Sequence, residues 1–421
     1  MSAPPPGPFR PTFWRSPLRG PWLTSVLGSI LLGLVAVVAL TGFISHGAYQ
    51  PGLGHNFTVP RAGDIGALIT LPASSPAWLY ALTQGAHVTI GLVAIPVLLA
   101  KLWSVIPRLF TWPPVAGAAH ALERGSLLLL VGGALFEFAT GVLNIQLFYP
   151  WHFSFVRAHY YGAWVFIVAL VLHVAVKVPT IRRAYRDRGV LGPLRDDLAH
   201  TRPEPYEPGG LTAPAPARAT LSRRGLLALV GGSSLALALA NLGESVGGPL
   251  RSLALLAPRG RDYGSGPNAF PVNKTADAVG VTRPATDPGW RLTVTGPRAR
   301  TFTRAELEAL PQHTHTLAIA CVEGWSTTQG WTGVRLADLA GLAGAAPGSI
   351  LHVESLQTLG PFRQATYTAG QVTDERSLLA LRVNGADLSL DHGYPARVIV
   401  ATAPGVHCTK WIASLRFEAA A

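Results

Sequence analysis

Before about residue 245 the apolar positions come in long unbroken runs, with neither the period-two alternation nor the narrow stripe of a water-soluble element. Five runs stand out, at 23–45, 77–103, 126–147, 155–176 and 225–242. At ~1.5 Å per residue each is long enough to cross a hydrocarbon core of ~30 Å, the last only just. Trp22, Trp78, Trp103 and Trp151 stand at their ends, where amphipathic rings form interfacial belts. The pattern predicts membrane helices.

Beyond about residue 262 the pattern changes. Short β-rich runs at 290–295, 316–320, 350–354 and 396–401 alternate with turns, the signature of a compact, mainly β domain. The expected fold is therefore multi-domain: an N-terminal all-α transmembrane four-helix bundle, a fifth transmembrane helix, and a C-terminal α+β, mainly β, domain. The expected boundaries are 1–180 for the bundle, 181–224 for a linker rich in Pro, Ala and Gly between 202 and 220, 225–245 for the fifth helix and 262–421 for the last domain.

Composition agrees with a bilayer. Charged residues are 13% of the chain and the mean hydropathy is +0.31, unlike a soluble domain. The net charge of +12 could suit nucleic acid, but its placement points to lipid, and no nucleic-acid partner is expected. Arg10, Arg15 and Arg19 precede the first run. Lys101, Arg108 and Arg124 follow the second, and ten Lys and Arg from Lys177 to Arg224 follow the fourth. The opposite loops hold only Arg61 and Arg157. A basic excess marks the cytoplasmic side, so the amino terminus is expected inside and the last domain outside. Ser222-Arg223-Arg224 before the fifth run reads either as more of this charge or as a signal that resembles the twin-arginine export type. A cofactor domain downstream favours export.

Ionisable side chains within apolar spans are costly and mark function. His87 lies in the second run, and His159 and His173 lie in the fourth, fourteen positions apart. On a helix that separation is about 40° short of four turns and ~21 Å in rise, which suits two haems bound on one face. Imidazole is an axial ligand of haem iron. Counted from Lys101 and Lys177, His87 and His159 lie at depths within ~6 Å of each other and can share one haem. Here residues 23–178 resemble the four-helix di-haem cytochrome b subunits of formate dehydrogenases and hydrogenases, which implies haem b. The fourth ligand departs from that family's pattern, leaving His120 or His46 as alternatives. Glu137 in the third run reads equally as a proton relay or as a helix-packing group.

The two cysteines, Cys321 and Cys408, are too few for a disulfide framework. Cys321 opens the run Cys321-Val322-Glu323-Gly324-Trp325-Ser326 straight after a strand-like stretch, followed by Trp331-Thr332-Gly333-Val334 and Leu336. A thiolate on a glycine turn can hold a transition metal, though most free cysteines are small core residues. The run is similar to the signature of the sulfite oxidase family of molybdopterin enzymes, over about 268–420. That resemblance implies molybdopterin as cofactor, with Cys321 as molybdenum ligand. It places His392 and Arg397, in Asp391-His392-Gly393-Tyr394-Pro395-Ala396-Arg397, with Lys410 and Asn273, at the pterin. A guanidinium and an ammonium suit its phosphate. The family's arginine cluster for sulfite is not evident after His352, and Arg363, His313 and His315 are alternative substrate-side residues.

The expected function is a membrane-bound molybdopterin-dependent oxidoreductase. It would transfer an oxygen atom to or from a small-molecule oxo donor or acceptor and exchange electrons with the quinone pool or another carrier. The alternative is a non-catalytic haem-bearing electron-transfer or docking protein. A transporter is disfavoured, because most of the intramembrane ionisable groups are histidines at haem spacing.

Overall fold

The computed structural model describes residues 3–49, 77–115, 117–207, 210–358, 361–401 and 404–419. Arg61 and the last two residues lie outside these. Five long helices lead the chain: α1 (Pro21–Tyr49), α2 (Ala77–Val105), α3 (Ala118–Ile145), α4 (Phe155–Arg188) and α5 (Arg223–Val246). All are long and apolar enough to cross a membrane. Two differ in extent from the apolar runs. α3 starts at Ala118 because Ala118–Arg124 is rich in helix formers, and α4 continues to Arg188 because its polar tail of Arg and Lys favours helix as well. Gly189 ends it at φ +69, a conformation glycine adopts freely.

The expected linker has no helix or strand at 202–220 among its described residues. Glu204 within it is nevertheless buried and accepts from the backbone N–H of Trp22 at 3.2 Å. Desolvation raises its pKa, partly offset by that bond and by Arg188.

Contacts divide the described residues into two units. The first holds residues 1–39 and 89–239. It is helical, with small apolar cores around Trp22, Leu27, Val97 and Val230, and around Val35, Leu98, Ala134 and Phe166.

The second unit holds residues 40–88 and 240–421, and its bulk is β. One sheet has β1 (Leu292–Thr295), β2 (Arg300–Phe302), β5 (Ile350–Ser355), β6 (Gln364–Tyr367) and β10 (Ile412–Glu418), in the order β2-β1-β10-β5-β6. β1 and β10 pair in parallel, Val294 opposite Leu415. The other sheet runs β3 (His313–Ala320), β4 (Ser326–Arg335), β7 (Leu378–Val383) and β8 (Ala386–Asp387), with β9 (Arg397–Ile399) also on β7. The four β-rich runs of the sequence each fall on a strand, namely β1, β3, β5 and β9. Leu292, Val294, Leu336, Leu351, Val398 and Leu415 belong to the main core, and Trp331 and Ile319 to a second.

Candidate active site

Cys321 follows directly on β3, and the chain then turns back into β4. Gly324 N–H donates to the Cys321 carbonyl at 3.1 Å, and Cys321 N–H to the Trp325 carbonyl at 2.8 Å. Gly324 lies at φ +95, which a side chain would strain. The hairpin register, Ala320 opposite Ser326, therefore makes Cys321 the first residue of a closed turn. Cys321 is 2% exposed. Burial, and then the charge of Glu323, push its thiol pKa up.

One cavity of about 310 Å³, including its open mouth, brings together all five residues expected at the pterin site: Cys321, His392, Arg397, Lys410 and Asn273. They arrive from five places in the chain. Arg397 opens β9 and His392 lies on the turn before it. Lys410 stands just ahead of β10, Asn273 comes from the segment before β1, and Cys321 comes from the β3–β4 turn. Phe270, Trp325, Thr327 and Gly405 also line the cavity; Phe270 and Trp325 belong to the runs that hold Asn273 and Cys321, while Thr327 and Gly405 carried no signal in the sequence. Arg363, His313 and His315 do not line it. Cys408 is buried behind the wall, its sulfur 3.9 Å from the Val400 carbonyl.

The electrostatics of this cavity are unusual for a folded interior. Arg397 donates to the Cys408 carbonyl at 3.2 Å and the His392 carbonyl at 3.4 Å, and sits over the Trp331 ring. Lys410 donates to the Asp391 carbonyl at 2.9 Å. Among the described residues neither cation has a carboxylate within ion-pair distance. Burial pulls the pKa of Arg397 down, and burial and then Arg397 pull that of Lys410 well down. His392 donates to the Asn268 carbonyl at 3.0 Å and stacks on Phe270 at 3.7 Å. Burial, then Arg397, lower its pKa to about 3, so the ring is neutral.

Two buried cations without a protein anion are expensive unless a ligand supplies the negative charge. A thiol, a guanidinium, an ammonium and a neutral imidazole around one cavity fit an anionic group that carries a soft metal.

The family comparison agrees with that donor set. Residues 279–421 match the family described as "Oxidoreductase molybdopterin binding domain". Over 157 residues the chain is 31% identical to the uncharacterized oxidoreductase YuiH of Bacillus subtilis, covering 35% of this chain and 74% of that protein. The chain belongs to the molybdopterin-binding oxidoreductases. It is also 32% identical over 143 residues to mitochondrial sulfite oxidase of Drosophila melanogaster. That match covers 28% of this chain and only 25% of the fly protein. The sulfane dehydrogenase SoxCD of Paracoccus pantotrophus aligns with a TM-score of 0.29 at 25% identity, over 31% of this chain and 38% of that one. As a molybdopterin-binding oxidoreductase of the sulfite oxidase type, the chain has its cofactor domain in its last third.

The expected haem ligands fall in different units, and each has its own surroundings. His159 and His173 share the unbroken helix α4. His159 Nδ1 lies 3.2 Å from Glu137 Oε2 and 3.0 Å from Thr140 Oγ1. A Cβ on Gly141 would sit 3.4 Å from the same ring. His87 on α2 lies against Gly42, where a Cβ would come within 2.7 Å of its ring. His46 ends the apolar part of α1 and His120 begins α3.

Proposed function

We propose that this oxidoreductase works on the outer face of the cytoplasmic membrane, transferring an oxygen atom to or from a small sulfur-containing or other oxo substrate, as a sulfite oxidase or sulfoxide reductase does. The observation that supports the reading is the single buried cavity shared by Cys321, Arg397, Lys410, His392 and Asn273. In this reading Cys321 holds molybdenum, Arg397 and Lys410 neutralise the pterin phosphate, and His392 and Asn273 contact the pterin. A thiol kept neutral by burial is inert alone, and a bound metal cation converts it to the thiolate ligand. When bound, the molybdenum–pterin group supplies a centre that changes oxidation state by two electrons.

The same proposal gives the helical region the domain limits 1–180, 181–224 and 225–245, with the pterin domain at 262–421. It gives the region haem b on His87 and His159, with His173 at a second position completed by His120 or, at the first, His46 in competition. Haem passes one electron at a time, which links a two-electron centre to the quinone pool. The five apolar helices, the basic loops and Ser222-Arg223-Arg224 support a membrane protein whose last domain is exported.

The test is purification from cofactor-competent cells with metal and haem analysis. About one molybdenum per chain is expected. Cys321→Ser should lose it and lower turnover by more than about a hundredfold, with haem content unchanged. Molybdenum absent from the wild-type protein would leave the other reading, a haem-bearing electron-transfer or docking protein.

A further inference from the structure

The Val322 carbonyl takes no part in the hydrogen bonds that close the Cys321 turn. Its partner comes from the first turns of an apolar helix far away in the chain: Gln84 of α2 donates its side-chain N–H to the Val322 carbonyl at 2.6 Å. The residues four before and four after Gln84 meet the same turn. Tyr80 packs in a small cluster with Ala320 and Val322. Val88 flanks Gly324, where a Cβ would lie 3.4 Å from Val88 Cγ2. Positions 80, 84 and 88 share one face of a helix, so α2 meets the turn along a stripe with one amide in its middle. All of these residues belong to the second unit.

The opposite side of the turn is held as well. Arg259 donates to Glu323 Oε1 at 3.1 Å and to the backbone carbonyl of Asn273. Trp325 Nε1 donates to Glu323 Oε2 at 2.9 Å. Glu323 and Asn273 are thus tied to each other through Arg259, which does not line the cavity, and the α2 stripe adds a separate set of contacts to the same turn. A glutamine in an apolar helix needs a partner, and here its partner is the backbone next to the cysteine.

We propose that Gln84 is a positioning residue of the active site: its amide holds the Val322 carbonyl and so fixes where the turn presents the Cys321 sulfur. The helix stripe Tyr80, Gln84 and Val88 then backs the turn that carries Cys321 without lining the cavity itself. This rests on the reading of Cys321 as the molybdenum ligand only for its catalytic consequence. The geometric part concerns the turn itself.

The two parts are tested separately on the full-length protein in nanodiscs. Protein made in cells that lack the pterin reports on the turn alone. Gln84→Leu, close in size but without a donor, should raise amide deuterium exchange at residues 322–324 and iodoacetamide labelling of Cys321 by at least about fivefold. Gln84→Asn, which keeps an amide on a shorter arm, should fall between the two. Leu82→Ala, at a position 59% exposed off the stripe, should match wild type. In loaded protein Gln84→Leu should lower kcat on the order of tenfold with KM unchanged, and broaden the Mo(V) electron paramagnetic resonance signal. Exchange and labelling that do not move in Gln84→Leu, or in Gln84→Asn should the leucine variant fail to accumulate, overturn the proposal. A loosened turn in a protein whose molybdenum content ignores Cys321→Ser would uphold the grip and sink the functional reading instead.

Discussion

The helical region and the β domain handle burial in opposite ways. Among the described residues, the large hydrophobic side chains that stand exposed, such as Leu40, Leu99, Leu128, Val171 and Leu172, run from Phe13 to Leu255, and none lies beyond. From Trp290 on, such side chains form a continuous interior, with Leu292, Leu336 and Val398 fully enclosed. A surface of that kind suits apolar surroundings, and the five helices that carry it are long and apolar enough to cross a membrane, whereas the second region encloses its own apolar side chains. The charges follow the same division. The helical region spreads most of its cations over loops and helix ends and buries Arg19 and Arg223 singly, whereas the β domain buries Arg397 and Lys410 together around one cavity. Two cations enclosed around one cavity without a carboxylate suit an anionic ligand.

The sharpest way to break this contrast is to empty the interior of the β domain. Trp331 is 0% exposed, beneath Arg397 and edge-on to Phe270. Trp331→Ala should cost about 3–5 kcal/mol in urea unfolding followed by the β circular-dichroism signal. A smaller effect comes from pH. His392 titrates near 6.5 when unfolded and at about 3 when folded. Between those values the unfolded chain takes up a proton that the native ring refuses, so stability falls as pH drops through that window. The loss in cofactor-free protein should reach up to ~3 kcal/mol at pH 4, and His392→Gln should flatten that part of the profile. An unchanged slope in that variant would mean that other groups carry the acid sensitivity. The least effect is expected outside. Leu128→Ala, at a side chain 67% exposed on α3, should shift thermal stability in lipid by less than ~0.5 kcal/mol. A shift of several kcal/mol there would show that this face packs against protein.

How much of this could be read from the chain depended on how local the signal was. Five long apolar runs produced five helices, because nothing else of that length and hydropathy is stable. Cys321, His392, Arg397 and Lys410 were singled out through short motifs, and they line one cavity. β4 was missed because Ser326–Arg335 is polar and holds two glycines, and its strand pairs with β3 and β7 only in the finished sheet. β7 was missed for the reverse reason: Leu378–Val383 is an apolar run with almost every position buried, and such runs do not separate strand from helix. The parallel pairing of β1 with β10 joins the two ends of the domain and has no local trace. Gln84 and Arg259 were invisible for the same reason. Each looks like an ordinary polar or basic residue until its distant carbonyl or carboxylate is brought beside it.

The hydrogen bond between Gln84 and Val322 spans 238 positions, and its separation says something about timing. A contact closing so large a loop forms late, after the local hairpin of β3 and β4 already exists. By that argument the hairpin that carries Cys321 precedes the clasp from a helix made much earlier in synthesis.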